Sequence, residues 1–266
     1  MENFSASLFV ESVLAKKDMI HIASFVADLF GTSYKKFYPI GIVDGKKIKA
    51  SRKYSEEELE KFAEEKDYDI QAVSFQNIKK VDGLPDTTIS IDFLNSSVRG
   101  VANQIMLEID PKVTEENCFA QMDKLVTYIH SIGNKIWHGM ATMMEERKLP
   151  MFFLIGINTP YMTDEERKIT YAMSCYQAAY QTKVWDIFEY NVVRKEIISE
   201  RMLNKIKQIL GPERIRKIDE FYIFTLMDDP KQTSMSSSKI VATRNELRKI
   251  FEKEDRIMYR LNRSPK

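Results

Sequence analysis

Nine glycines in 266 residues place the strongest constraint on what this chain can fold into. Average glycine usage is about 7%, so the chain carries roughly half the usual number. Glycine lets a backbone turn sharply and approach a phosphate closely. The nine are scattered, and neither GxGxxG nor GxxxxGK[ST] occurs. Glycine-rich nucleotide cradles are thereby excluded. The length allows one large domain or two small ones, with a substantial core.

The net charge of +1 conceals an asymmetry. Residues 194–266 hold 18 basic and 11 acidic residues, while residues 1–193 hold 22 basic and 28 acidic ones. A basic C-terminal region can meet nucleic acid or pair with an acidic surface, including the chain's own. Two cysteines, Cys118 and Cys175, cannot build a disulfide framework. The N-terminal residues lack a signal-peptide pattern, and no apolar run approaches a membrane span of about 20 residues. The expected setting is reducing and cytoplasmic, without membrane contact.

Hydrophobic spacing predicts an α+β protein with a mostly antiparallel sheet in its first part. SLFVESVL (7–14) reads as a strand, and Met19, Ile22, Ala23, Val26, Leu29 and Phe30 make a helical stripe with Gly31 as its C-cap. Asp44-Gly45 between short apolar runs signals a hairpin. Ser55-Glu56-Glu57-Glu58 predicts a helix start. Residues 70–79, TTISIDFL and VANQIMLEI then predict an antiparallel meander with one solvated face.

Helical spacing resumes at Phe119, Met122, Leu125, Val126 and Ile129, and again over 135–148. MFFLIGI (151–157) reads as a buried strand. Thr163-Asp164-Glu165-Glu166 forms a capping box ahead of a long helix running to Tyr190. Further helices are expected at 194–210, 212–220 and 240–261, a strand at 221–227, and a serine-rich loop at 228–238. The chain divides into an α+β part, 1–160, and a mainly helical part, 161–266, expected to pack on the first as one globular unit.

Catalytic and metal-binding patterns are sparse. His130 and His138 lie too far apart for a helical metal pair, and neither HExxH nor CxxC occurs. His21 reads as a partly buried structural residue, His138 as a helix-packing histidine, and Cys118 as a packed thiol near a helix start rather than a nucleophile. No catalytic residue, metal ligand or cofactor is assigned. Asp228-Asp229, following a buried strand, could serve as catalytic carboxylates or form a turn. Lys46, Lys47, Lys49, Arg52 and Lys53 lie beside Tyr54, a pattern that suits either a nucleic-acid backbone or a solvated hairpin.

The order of elements over residues 8–109 carries a family likeness. The strand FVESVL, the helix ending FVADLFG and the turn PIGIVDGKKIKAS are followed by the acidic helix SEEELEKFAEE and paired strands ending ANQIMLEI. This region resembles the immunity protein 52 class of bacterial polymorphic-toxin immunity proteins. The resemblance implies a small cytoplasmic α+β protein that binds and blocks a cognate toxin.

The leading functional expectation is a non-catalytic protein-binding protein with a protein partner, a toxin if the resemblance holds. Its candidate partner-binding residues are Glu56, Glu57, Glu60, Glu64, Glu65 and Asp67, an acidic surface able to complement a basic cleft. The alternative is an enzyme or nucleic-acid-processing protein built around Asp228 and Asp229 with the basic C-terminal helix. A viral or phage accessory protein that binds a host component would share the first reading's sequence features.

Overall fold

The computed structural model describes residues 2–43, 46–65, 69–81, 84–95, 103–145, 148, 150, 154, 157–175, 182–230 and 237–259. In chain order the described elements are β1 (Glu2–Val10), α1 (Lys16–Leu29), β2 (Lys36–Val43), β3 (Lys46–Lys49), β4 (Arg52–Lys53) and α2 (Glu56–Glu64). The strands β5 (Asp69–Val81), β6 (Leu84–Leu94) and β7 (Asn103–Ile109) follow, then α3 (Cys118–Ser131) and β8 (Ile136–Glu145). Beyond these come α4 (Asp164–Cys175), β9 (Tyr190–Arg194), α5 (Glu200–Leu210), β10 (Ile215–Ile218), β11 (Phe221–Thr225) and α6 (Ser238–Lys253). The protein is α+β, with one 11-stranded sheet in the order β10-β11-β9-β8-β1-β7-β6-β5-β2-β3 and β4 also pairing with β2. Every named pairing is antiparallel.

The expected meander is present, and its register explains the core. Ile89 faces Ile109, Ile91 faces Leu107 and Phe93 faces Ile105 across β6 and β7. The same apolar rows continue onto β1, where Phe4, Ala6 and Leu8 meet Ile109, Leu107 and Ile105. Period-two alternation puts these residues on one side, and α2 and α3 cover it. Phe119 of α3 lies 6.1 Å from Phe4, and Phe62 of α2 lies 5.5 Å from Phe37. α1 stacks on α3 through Phe25 and Tyr128. Its end matches expectation: Gly31 takes a positive φ of 62°, and Thr32 N–H reaches back to the Ala27 carbonyl.

The opposite side of the sheet corrects an expectation. Its residues are polar, as the alternation requires, yet Ser5, Ser7, Ser90 and Glu108 are buried rather than solvated. The second half of the chain covers it. Gln104 donates to the Leu154 carbonyl, Trp185 packs edge-on against Phe9, and Phe251 of α6 packs against Phe224. An antiparallel sheet with a polar face need not leave that face wet when later segments return across it.

Several sequence-based boundaries shift for related reasons. Residues 136–145 form a strand, not a helix: β8 lies between β1 and β9, and residues on both its sides are buried. Apolar residues on both sides erase the period-two signal, and methionines at 140, 143 and 144 mimic helical spacing. β1 begins at Glu2 and ends at Val10. α4 is described to Cys175, and 184–188 is not helical; Tyr190–Arg194 is a strand. Pro212 starts only a three-residue 3-10 turn before β10, and α6 ends at Lys253, after which Ile257 bridges to Val184. Asp44-Gly45, most of 151–157 and residues 231–236 lie outside the described residues.

Candidate functional site

The acidic segment forms α2 because three glutamates occupy its first turn, where the positive end of the helix dipole favours them. Ser55 occupies the N-cap position, but its side chain makes no capping hydrogen bond. The helix is held instead by its inner side. Phe62 is fully buried, and Lys16 Nζ and Arg52 lie 5.6 and 5.7 Å from its ring. Arg52 donates to both carboxylate oxygens of Glu65, at 2.5 and 3.1 Å, while Lys16 Nζ donates to the Glu65 carbonyl at 2.7 Å.

This arrangement separates the candidate residues. Glu56, Glu57, Glu60 and Glu64 are exposed on α2. Glu57 accepts from Lys61 at 2.7 Å, and that hydrogen bond holds its carboxyl below the ordinary glutamate range. Glu65 is half-buried and engaged with Arg52, so it anchors the helix rather than facing outward. Asp67 lies outside the described residues.

The second candidate, Asp228-Asp229, lines an open cleft of about 350 Å³ between the end of α5, the end of β11 and the start of α6. Leu226, Met227 and Ile240 form its apolar floor, with Arg214 and Lys239 among its charged lining. Asp228 is tied in place. Its carboxylate accepts from Arg214 at 3.0 Å, and its backbone carbonyl accepts from Asn117 at 2.6 Å.

The histidines do not converge there. His21 is exposed on α1, contrary to its sequence reading as a partly buried residue. His130 faces Asp219 at 3.3 Å. His138 is buried in β8, with its ring 4.3 Å from Phe9 and 5.6 Å from Trp185. Cys118 is buried at the start of α3. No group of three or more metal-ligating side chains converges among the described residues. No described helix is long and apolar enough to cross a membrane.

The sequence reading passed over a buried ionic cluster. Arg244 and Arg248, four residues apart on α6, point inward with Leu247 and Phe251. Arg244 pairs with Glu189. Arg248 pairs with both oxygens of Asp186, donates to Glu165 of α4 at 2.8 Å, and lies 4.0 Å from the Tyr259 ring. Burial opposes the Arg248 charge, but Asp186 and Glu165 outweigh it and raise its pKa. Two arginines at i, i+4 inside an apolar stripe were the available signal.

The sheet and the helices on both its sides define an α+β protein. This architecture is similar to the solved structure of Pseudomonas aeruginosa T6SS protein PA0821, with a TM-score of 0.57 and 9% sequence identity. The alignment covers 94% of this chain and 73% of that one. At such identity the likeness is one of fold. No protein-family model matches the sequence, and no curated protein matches it.

Proposed function

We propose that this chain is a non-catalytic protein-binding protein of the cytoplasm, an immunity protein of the immunity protein 52 class that neutralises a cognate toxin. The outward row of Glu56, Glu57, Glu60 and Glu64 on α2 carries this reading. These carboxylates sit on a helix whose other side is pinned by Phe62 and Arg52. A fixed acidic face suits a cationic protein surface, where complementary fields speed encounter and set register. The fold likeness to a T6SS protein supports a toxin-associated setting. Asp67, which follows α2 in the sequence, stays a candidate for the same partner, and we assign Glu65 to the support of the helix.

The test is a pull-down from the native host at low and moderate salt, comparing wild type with Glu56→Lys/Glu60→Lys/Glu64→Lys. One stoichiometric protein should be captured by the wild type and lost in the variant, with circular dichroism unchanged. That protein should be toxic when expressed alone and harmless when co-expressed with this chain. Undiminished capture by the variant, or a captured protein without toxicity, overturns the reading. The cleft at Asp228 and Asp229 favours a second reading, an enzyme or nucleic-acid-processing protein; recovery of nucleic acid instead of protein would select it.

A further inference from the structure

The cleft beside Asp228 and Asp229 holds more than those two carboxylates. Its volume of about 350 Å³ falls within the range of small-molecule sites, about 300–1,000 Å³. Its floor is apolar, since Leu226, Met227 and Ile240 are all buried. Arg214 is committed to the Asp228 carboxylate and the Leu226 carbonyl, so this pair forms a wall of the cleft.

Two charges on the rim are not committed. Glu213, in the 3-10 turn after α5, and Lys239, in the first turn of α6, are exposed and line the same cleft. Thr243 is half-buried one turn beyond Lys239 on the same side of α6, and it lines the cleft too. None of the three side chains has a hydrogen bond or ion pair among the described residues. A lone exposed charge is ordinarily just solvated. Here opposite charges from two elements stand over one apolar floor without pairing with each other, an arrangement that can hold both ends of one ligand.

The signs narrow the ligand. Three carboxylates, Glu213, Asp228 and Asp229, line the cleft against two cations, which disfavours a phosphate. A simple cation would be opposed by Lys239, and an uncharged apolar molecule would use neither rim charge. A zwitterion with an apolar body uses the rim and the floor together.

We propose that this cleft binds a free amino acid with an apolar side chain. Its carboxylate meets Lys239 and the Thr243 hydroxyl, its ammonium meets Glu213, and its side chain lies on Leu226, Met227 and Ile240. The cleft is separate from α2, and the inference stands independently of the immunity reading. It is a binding role and needs no catalytic step at Asp228 or Asp229.

The test is calorimetric titration of the full chain with L-phenylalanine and L-leucine at millimolar concentration. Both should bind. N-acetyl-L-phenylalanine, which lacks the ammonium, and L-phenylalaninamide, which lacks the carboxylate, should each bind at least about tenfold more weakly. Glycine, with both charges and no side chain, should not bind. Lys239→Gln should weaken L-phenylalanine at least about tenfold yet leave the residual binding of the amide unchanged. Glu213→Gln should do the same yet leave the N-acetyl form unchanged. The ligand comparison on the wild type needs no variant, so a folding failure cannot mask the outcome. Failure of both amino acids to bind, equal binding of the three phenylalanine forms, or variants that bind as the wild type does would overturn the proposal. Binding of adenosine monophosphate in place of the amino acids would also overturn it and return the cleft to the nucleic-acid reading.

Discussion

Asp92 stands on the polar side of β6, half-buried beside Ser74 and Ser90. Burial pushes its carboxyl from an ordinary 3.8 up to about 6, and hydrogen bonds from Ser74 and Ser90 offset only part of that rise. The sign follows from linkage. The folded state binds this proton more tightly than the unfolded chain, so the contribution is full below about pH 4 and is lost as pH rises through about 6. A rise of that size corresponds to about 3 kcal/mol, and partial exposure lowers the expected effect to about 1–3 kcal/mol. Asp92→Asn keeps an acceptor for Ser90 and removes the charge. In urea unfolding it should stabilise the protein by that amount at pH 8 and leave it nearly unchanged at pH 4. A stability difference that stays flat with pH would contradict the burial argument. Tyr190 shows the complementary case: burial and the neighbouring Asp123 carboxylate both raise its pKa, and its hydroxyl donates to Asp123 at 2.9 Å. In both cases the environment sets the chemistry, and neither environment could be read from local sequence.

At the scale of elements, legibility tracked one-sidedness. The strands β6 and β7 and the helices α1, α2 and α3 each turn a distinct apolar side to the core, and their sequences announce it. The capping box at Thr163 is likewise local, and Thr163 and Glu166 do exchange hydrogen bonds at 2.6 and 3.2 Å. The strand β8 carries apolar residues on both sides and gave no alternation. Within it, Gly139 marks a close approach by the neighbouring strands. A Cβ at that position would press into the Leu8 side chain and lie 3.3 Å from the Ser7 carbonyl and from Val192. The glycine is there because β1 and β9 flank it closely, not for a turn. Gly139→Ala should therefore destabilise the fold by about 1–3 kcal/mol, the usual cost of overpacking. Chemical denaturation would register it as a lower midpoint with an unchanged slope. A neutral result would mean that Leu8 relaxes freely. Within the candidate site, the outward glutamates of α2 were legible from composition, whereas the anchoring role of Glu65 depends on Arg52, thirteen residues away.

Across the whole molecule, the sheet bridges the division near residue 160. β9 from the later part pairs with β8 of the earlier one, and β11 and β10 extend outward from there. The buried arginines lock this later part together. Arg248 joins Glu165 on α4, Asp186 on the connecting segment and Tyr259 beyond α6, with its side chain 3% exposed and that of Asp186 fully buried. Taking two charges out of water costs heavily, and their attraction repays it only while both remain. Arg248→Met should therefore cost about 3–5 kcal/mol by stranding Asp186. The double substitution Arg248→Met/Asp186→Leu should recover much of that loss, because no uncompensated charge stays behind. Calorimetry on both variants and the wild type would measure the coupling and also how far it spreads. A single cooperative transition, shifted as a whole by Arg248→Met, is expected if residues 1–160 and 161–266 fold as one unit. Two separated transitions, with only one moved by the substitution, would show that the later part unfolds on its own despite the shared sheet.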